Sequence, residues 1–410
     1  MARINPFKAL RPRRDLVHLV ASRPFYSYKK NVLEAKLEDN QFTFMHIINP
    51  EFGSKPQTKP NSPERFQLVA EGYSEFIKKG IFVQEKVASF YIYRQSKGEN
   101  VCTGIICGAS VNDYKENATR KHEATLTSRE RIFTEYLDIV GYNAEPVLLT
   151  HPNNDSIDAF VNERVKDRAE YEFTTTDFIK HELWVIPAEY NYEVQGLFAA
   201  IPNLYIADGH HRSASSVGLA DMRSESDSSF ENENFFLSYI VPESNISILE
   251  FNRLVRNIGN KTAEQILIDL HENFEVTPLE GAQKPENEHE FTMCLRGNWY
   301  SLSIDTKLID EDHPVNSLDA ELLTQYVLDP ILDIQDLKSD DNISFISGAE
   351  SLEKIESKVT SKDYDIAFVL YPVEMSQVVR VADNNMIMPP KSTWVEPKLR
   401  SGLTIYNINE

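Results

Sequence analysis

Hydrophobic residues recur along the chain in two patterns, one typical of helices and one typical of strands. The clearest helical pattern is near residues 62–80, where Ser62 is an N-cap, Pro63 opens the first turn and Gly80 follows the last one. A second helix is predicted after Thr127, which would form a capping box with Glu130. The apolar face of the first helix comprises Phe66, Val69, Ala70, Tyr73, Phe76 and Ile77.

Strand patterns lie between and after these helices. Ser89–Gln95 and Val101–Val111 are apolar runs joined by a short polar turn, and they predict a hairpin. Residues 1–60 follow neither pattern and predict an irregular segment. The other elements predicted in the first half are a helix over 156–169, strands near 171–176 and 181–186, a short strand Leu204–Ala207, and a helix over 210–222.

Hairpins and helices are mixed throughout, which is typical of an α+β protein with mixed sheets rather than a doubly wound parallel sheet. A chain of 410 residues is longer than one typical core, so we expect two lobes. Residues 221–234 are almost entirely polar and predict the linker. The predicted lobes are therefore residues 1–222, which contain a strand–turn–helix phosphate site, and residues 235–410, which begin with the strand Phe235–Val241.

Composition and charge exclude several classes of protein. The net charge of −21 repels phosphate backbones and anionic lipids, so we expect neither nucleic-acid nor membrane binding. Three cysteines without a CxxC pair indicate neither a disulfide framework nor a zinc site, and reduced thiols favour the cytoplasm. The first 30 residues are basic. Their cations either neutralise an acidic body or face an anionic substrate, as Arg3, Lys8 and Arg11 could.

The strongest chemical signal is the polar run Asp208-Gly209-His210-His211-Arg212 between a predicted strand and a helix. A helix N-terminus attracts anions, and Gly209 allows a ligand to approach the backbone closely. Arg212 can form a fork onto phosphate oxygens, and both histidines can move protons near neutral pH. Asp208 can orient a substrate or help to bind Mg²⁺. The alternative is a tight turn with surface histidines, but this many functional side chains favours a phosphate site.

Two further segments carry possible chemistry. The run Arg120-Lys121-His122-Glu123 precedes the second helix, and Glu123 could act as a general base with His122 beside it. Its alternative is a solvated charged loop. Near the end of the chain, Pro389-Pro390 could present Lys391 and Ser392 to a phosphate, or could simply form a surface turn. The chain has no Walker phosphate loop, GxGxxG turn, HExxH or GxSxG motif.

Four separated segments resemble the bacterial and archaeal family known as domain of unknown function 1015. They are Asn5–Pro12, His122-Glu123 with Thr125, Leu204–Arg212, and Met388–Lys398 with Ser401-Gly402-Leu403. The chain departs from the family pattern at Arg23–Ser27, where Pro-Pro-Tyr-Asp is common, and at Ser213, where tyrosine is frequent.

The Asp-Gly-His-His-Arg turn also resembles the phosphate-binding motif of a superfamily that includes ParB partition proteins, sulfiredoxins and free-serine kinases. The resemblance implies a phosphoryl transfer on serine or O-phosphoserine, as a kinase or a phosphatase, with ATP or ADP and Mg²⁺ as possible cofactors. It implies that Gly209, His211, Arg212 and Ser213 hold the phosphate, with Lys391, Ser392, Lys8 and Arg11 as further contacts. Glu123, His122, Asp208 and His210 would then be catalytic. The alternative is a nucleotide-binding regulatory protein with little turnover.

Overall fold

The computed structural model describes residues 1–54, 57–224 and 230–410, which form two compact units. The first unit comprises Met1–Lys121, Thr125–Ile246 and Pro397–Glu410, and the second comprises His122–Ala124 and Ser247–Glu396. In the described ranges, no helix is long and apolar enough to cross a membrane.

The helices are short, apart from three of 14 to 16 residues that flank the sheet of the first unit. In chain order they are α1 (Val17–Val20), α2 (Lys30–Asp39), α3 (Met45–Ile48), α4 (Pro63–Lys78), α5 (Val111–Lys115), α6 (Thr127–Val140), α7 (Asp155–Arg164), α8 (Asn191–Ala199), α9 (His210–Ser224), α10 (Ala263–Leu270), α11 (Asp319–Leu323), α12 (Leu352–Thr360) and α13 (Met375–Asp383).

The strands form one large sheet in each unit, with a few two-stranded pairs beside them. In chain order they are β1 (Ile4–Asn5), β2 (Leu10–Pro12), β3 (Phe82–Gln84), β4 (Tyr91–Lys97), β5 (Asn100–Ser110), β6 (Thr119–Arg120), β7 (Tyr142–Asn143), β8 (Val147–His151), β9 (Tyr171–Thr174), β10 (Lys180–Val185), β11 (Leu204–Asp208), β12 (Phe235–Pro242), β13 (Ser247–Leu249), β14 (Phe251–Val255), β15 (Phe274–Leu279), β16 (Glu290–Leu295), β17 (Asn298–Ile304), β18 (Ile343–Ser347), β19 (Ile366–Leu370), β20 (Trp394–Glu396) and β21 (Tyr406–Asn407).

The sheet of the first unit is mixed, which confirms the α+β class. Its order is β6-β11-β8-β12-β5-β4-β10-β9, and β1 pairs with β5. The pairs β11–β6 and β12–β8 are parallel, and the other pairs are antiparallel. Residues 105–110 of β5 are buried throughout, because this strand runs through the middle of the sheet. The sheet of the second unit is antiparallel, in the order β15-β17-β16-β19-β14-β18.

Several predicted elements are confirmed. In α4 the Ser62 hydroxyl accepts from the Arg65 N–H, and the face containing Phe66, Val69, Tyr73 and Phe76 is buried. The hairpin is β4 and β5, which pair antiparallel from Tyr91 with Ile106 to Lys97 with Asn100. The strand before the Asp-Gly turn is β11, and the helix after it is α9.

Other predictions were wrong. Residues 1–60 contain α2 and α3. Thr127 is the first residue of α6 and makes no capping box. The Glu130 carboxylate instead accepts from the hydroxyl of Thr125, which precedes the helix by two residues. The predicted linker at 221–234 begins inside α9, which extends to Ser224, and its residues 225–229 lie outside the described ranges.

The predicted lobe boundaries differ from the two units of the structure. The strand that was expected to open the second lobe is β12, which lies between β5 and β8 in the first unit. The segment Pro397–Glu410 also belongs to the first unit, where β21 pairs with β7. Local patterning predicts a strand but not its neighbours, because strand partners can come from any part of the chain.

Candidate functional site

The Asp-Gly turn is set by the buried strand before it. Leu204–Ala207 are buried in β11, so the strand delivers Asp208 to the edge of the core. Gly209 has φ +108°, and a Cβ there would lie 3.0–3.1 Å from atoms of the Arg212 guanidinium. Only glycine satisfies both the backbone angle and this close approach.

Arg212 ties the turn to the loop before β8. Its Nη2 donates to Asp208 Oδ2 at 2.8 Å, and its Nη1 lies 3.4 Å from Glu145 Oε1 and donates to the Pro146 carbonyl. Burial alone would raise the pKa of Asp208, but the charges of Arg212, Lys398 and His210 outweigh it and lower that pKa. Asp208 is therefore a carboxylate held beside a guanidinium at neutral pH.

The start of α9 follows directly on the Asp-Gly turn. The Ser213 N–H donates to the Gly209 carbonyl at 3.0 Å, which is the first hydrogen bond of the helix. The dipole of a helix makes this end positive. Ser213, Ser215 and Ser216 direct their hydroxyls to the carbonyls of His210, His211 and Arg212. The Ser213 side chain is buried, so its predicted contact with phosphate stays a prediction.

The two histidines of the turn differ in environment. His210 is 4% exposed. Nε2 of His211 accepts from the Leu126 N–H at 3.2 Å, at the start of α6. With Nε2 as the acceptor, the neutral His211 ring carries its proton on Nδ1. The ring is thereby oriented by the neighbouring helix.

The three basic residues predicted near the chain start all face carboxylates, and Arg3 pairs with Asp113 and Glu116. Lys8 pairs with Glu410. Arg11 donates to Glu85 Oε1 at 2.5 Å, to Glu170 Oε1 at 3.0 Å and to the Tyr171 hydroxyl at 2.8 Å. Their charges are matched within the fold, and their predicted contacts with phosphate stay predictions.

The remaining predicted residues belong to the second unit. The Met388 N–H donates to the His122 carbonyl at 2.8 Å, so the segment that contains Glu123 meets the start of the loop that contains Lys391. His122 is buried and Glu123 is exposed. Lys391 has φ +59°, a strained angle for a side chain with a Cβ, and its Nζ lies 5.3 Å from the Phe251 ring centre.

Ser392 closes the same loop, because its hydroxyl donates to the Pro389 carbonyl at 2.7 Å. This bond fixes the turn that the two prolines predict. The contact of Ser392 with a phosphate stays a prediction.

Sequence reasoning missed two charged residues at the turn. Glu145 lies beside Arg212, and the charge of Lys398 helps to lower the pKa of Asp208. Lys398 falls within the fourth family-like segment, so a signal for it was present. Glu145 had none, because it comes from a loop far along the chain from the motif.

The comparison with protein families confirms the resemblance to the family of unknown function 1015. A family model described as "Protein of unknown function (DUF1015)" matches residues 4–321. No curated protein matches the sequence.

Three solved structures are similar to this chain only at low identity. A free serine kinase in complex with AMP is 12% identical, covering 73% of this chain and 91% of its own, with a TM-score of 0.36. A conserved hypothetical protein from Pyrococcus furiosus is 13% identical, with coverages of 74% and 95% and a TM-score of 0.37. A C-terminally truncated SbnI from Staphylococcus aureus is 11% identical, with coverages of 73% and 87% and a TM-score of 0.39.

Proposed function

Since the chain belongs to the DUF1015 family, whose function is unknown, we propose its activity from the turn at Asp208–Arg212. We propose that it transfers a phosphoryl group between serine, or a similar small hydroxy amino acid, and either a nucleotide or water. The observation that carries this proposal is the turn itself, in which Gly209 leaves room for the Arg212 guanidinium next to the positive end of α9.

The chemistry asked of such a site is mostly positioning and charge stabilisation. Phosphoryl transfer spreads charge over the oxygens of the moving group, and a helix end with an adjacent guanidinium stabilises that charge. The ionised Asp208 would orient the amino group of the substrate or hold a Mg²⁺ ion together with phosphate oxygens. Asp208 and Glu145, which both pair with Arg212, would supply carboxylate oxygens of the kind that Mg²⁺ prefers. Mg²⁺ would neutralise phosphate charge.

The direct test follows phosphorus by NMR. The purified chain is incubated with O-phosphoserine and Mg²⁺, with and without ADP, and in parallel with serine and ATP. Free phosphate without ADP identifies a phosphatase, and strict dependence on ADP identifies a kinase acting in reverse. If no phosphorus moves in any mixture, the proposal is wrong. Tight nucleotide binding in that case would favour the regulatory alternative.

Arg212→Lys tests whether the turn carries the activity. It keeps the charge but removes the planar fork, so we expect kcat/KM to fall about 10- to 100-fold, or roughly 1.4–2.7 kcal/mol. Arg223→Lys is the matched control, because Arg223 pairs with Asp138 at 2.9 Å in the last turn of the same helix. Equal losses in the two variants would remove the turn from the mechanism.

Glu123→Gln tests the proposed general base. An enzyme that uses this carboxylate should lose turnover while it still binds nucleotide or O-phosphoserine, as measured by calorimetry. Unchanged turnover would contradict the role of Glu123 without affecting that of the turn.

A further inference from the structure

A second group of cations lies in the first unit and shares no residue with the Asp-Gly turn. Ser22 and Ser401 exchange backbone hydrogen bonds of 3.1 and 2.8 Å, so the next residues on the two antiparallel segments, Arg23 and Arg400, are neighbours. Lys36 of α2 is close to both. Burial is the largest cause that lowers the pKa of its ammonium, and the charges of Arg400 and Arg23 lower it further.

These three cations face too little negative charge. Arg400 Nη2 donates to the two oxygens of Asp177 at 2.8 and 2.7 Å. Among the described residues, neither Arg23 nor Lys36 forms an ion pair. Arg23 lies instead over the Tyr28 ring, at 4.8 Å from its centre. In a chain with 63 acidic and 42 basic residues, carboxylates are plentiful, so three cations that share one of them stand out.

Arg400 also carries an unsatisfied donor. Its side chain is only 4% exposed, and its Nε has no hydrogen-bond partner in the described structure. A buried N–H without an acceptor costs about 1–3 kcal/mol. An oxyanion would accept from this N–H and neutralise the excess charge.

The residues behind Arg400 are fixed and contribute no second negative charge. Thr175 Oγ1 accepts from Arg400 Nη2 at 3.0 Å and lies 3.1 Å from His181 Nε2. The Tyr93 hydroxyl is 2.7 Å from His181 Nδ1. Burial lowers the pKa of His181 to about 3, with Arg400 acting in the same direction, so the ring stays neutral.

Gln95 adds a second unsatisfied group beside this network. It is 3% exposed and stands directly opposite His181 in the pairing of β4 with β10. Neither its amide nitrogen nor its amide oxygen has a hydrogen-bond partner in the described residues. Buried polar atoms in proteins are almost always paired, so Arg400 and Gln95 together indicate an absent polar partner.

We propose that Arg23, Lys36 and Arg400 form a second anion-binding site, which takes the phosphate or carboxylate group of a small molecule. Arg400 Nε and Lys36 Nζ are the donors, and Asp177 holds Arg400 in place. The strands behind the site, β4 and β10, are separated from β11 and its turn by β8, β12 and β5. The site shares no residue with the Asp-Gly turn, although Tyr26 and Lys398 on the same segments act on the pKa values of Arg212 and Asp208. Its test does not rely on the phosphoryl transfer proposed above.

Residue-resolved acetylation tests the site. Lys36 is compared with Lys30 of the same helix, whose side chain is 89% exposed and 4.0 Å from Glu34. The full chain is pulsed with acetic anhydride in chloride, pyrophosphate or malonate at equal ionic strength, and each lysine is quantified by mass spectrometry. We expect pyrophosphate or malonate to slow acetylation of Lys36 several-fold and to leave Lys30 unchanged. Pyrophosphate and malonate distinguish a phosphate site from a carboxylate site. Protection of neither lysine, or of both equally, overturns the proposal.

Lys36→Gln, with Lys30→Gln as its control, gives an independent measurement. Without an anion, Lys36→Gln should unfold at the same temperature as the parent chain or higher, because it removes repulsion among like charges. The rise in Tm caused by the protecting anion should shrink in Lys36→Gln and persist in Lys30→Gln. A rise that survives Lys36→Gln in full places the bound anion elsewhere and contradicts the proposal.

Discussion

Gly209 is confined by its backbone angle and by the guanidinium of Arg212. Its φ of +108° lies in a region that residues with a Cβ rarely occupy, and its missing Cβ leaves room for Arg212 at 3.0 Å. The sequence indicated this position, because an Asp-Gly pair after an apolar strand and an arginine one helical turn later are local features. The Asp208–Arg212 ion pair follows from the same spacing.

We expect Gly209→Ala to lower the free energy of unfolding by about 1–3 kcal/mol, because the new Cβ is strained and displaces Arg212. Gly196→Ala in α8 is the matched control. That position is exposed with no atom within 4 Å of the added Cβ, so it should gain about 0.5–1 kcal/mol. Urea denaturation measures both, and a neutral Gly209→Ala would contradict the strain argument.

His289 is a second residue whose environment changes a measurable property, the pKa of its ring. Its Nδ1 and its backbone N–H both lie 3.0 Å from Asp319 Oδ1. The hydrogen bond that His289 donates to Asp319 raises the pKa of the ring above its usual 6.5, against the opposing effect of burial. The charged ring therefore stabilises the folded second unit.

The stabilisation by His289 should depend on pH. Because its folded pKa is higher than its unfolded one, the contribution is fully present below about pH 6.5 and is lost as the pH rises through the folded pKa. We expect the stability advantage of the parent chain over His289→Asn to narrow from pH 6 to pH 9. Asparagine is the appropriate replacement because it tolerates the φ of +66°. Equal pH slopes in urea denaturation would exclude the ion pair as the cause.

Helices α6 and α9 show how far local patterns predict an element. The sequence predicted both helices and the N-cap of α4, because those signals lie within a few residues of each other. It failed at the start of α6, where Thr125 rather than Thr127 reaches Glu130. It also could not predict the close packing of α6 on α9, where a Cβ added at Gly218 would lie 2.8 Å from Thr134 Oγ1.

This packing predicts that the effect of Gly218→Ala on stability changes sign when Thr134 is replaced by alanine. Gly218→Ala alone should destabilise the chain by about 1 kcal/mol or more, because the new methyl group meets the Thr134 hydroxyl. In a Thr134→Ala background that oxygen is gone, and the same substitution should stabilise the helix by about 0.5–1 kcal/mol. A double-mutant cycle from urea denaturation measures the coupling. Additive effects would contradict close contact between the helices.

Each unit of the molecule carries buried thiols. Cys102 and Cys107 lie in β5 of the first unit, and Cys294 lies in β16 of the second. Burial raises the pKa of all three, to about 11 for Cys102 and Cys294. On the order of 0.1% of Cys102 and Cys294 would be thiolate at pH 8.

Alkylation of the thiols should therefore measure the unfolding of each unit separately. We expect negligible alkylation by iodoacetamide at pH 8 without denaturant, and full labelling as each unit unfolds in urea. Mass spectrometry of the labelled peptides distinguishes Cys294 from the other two. Rapid labelling of the native chain would show that these strands are not buried as described.

The division of the whole molecule was the least predictable level. The sequence indicated an α+β chain of two lobes, but its polar run at 221–234 falls within the range of the first unit rather than at a boundary. Strand β12 has buried residues on both faces, and nothing in its own sequence says that β5 and β8 are its neighbours. Long-range pairing of this kind depends on the full set of competing strands.

The return of Pro397–Glu410 to the first unit has a consequence for the order of synthesis. Strand β21 pairs with β7, yet more than 260 residues separate them, and the ribosome makes Ser247–Glu396 of the second unit in between. The first unit therefore cannot add β21 until the end of synthesis, whereas Ser247–Glu396 emerge as one continuous segment. We expect the second unit to mature first on the ribosome, although the first unit begins to emerge earlier.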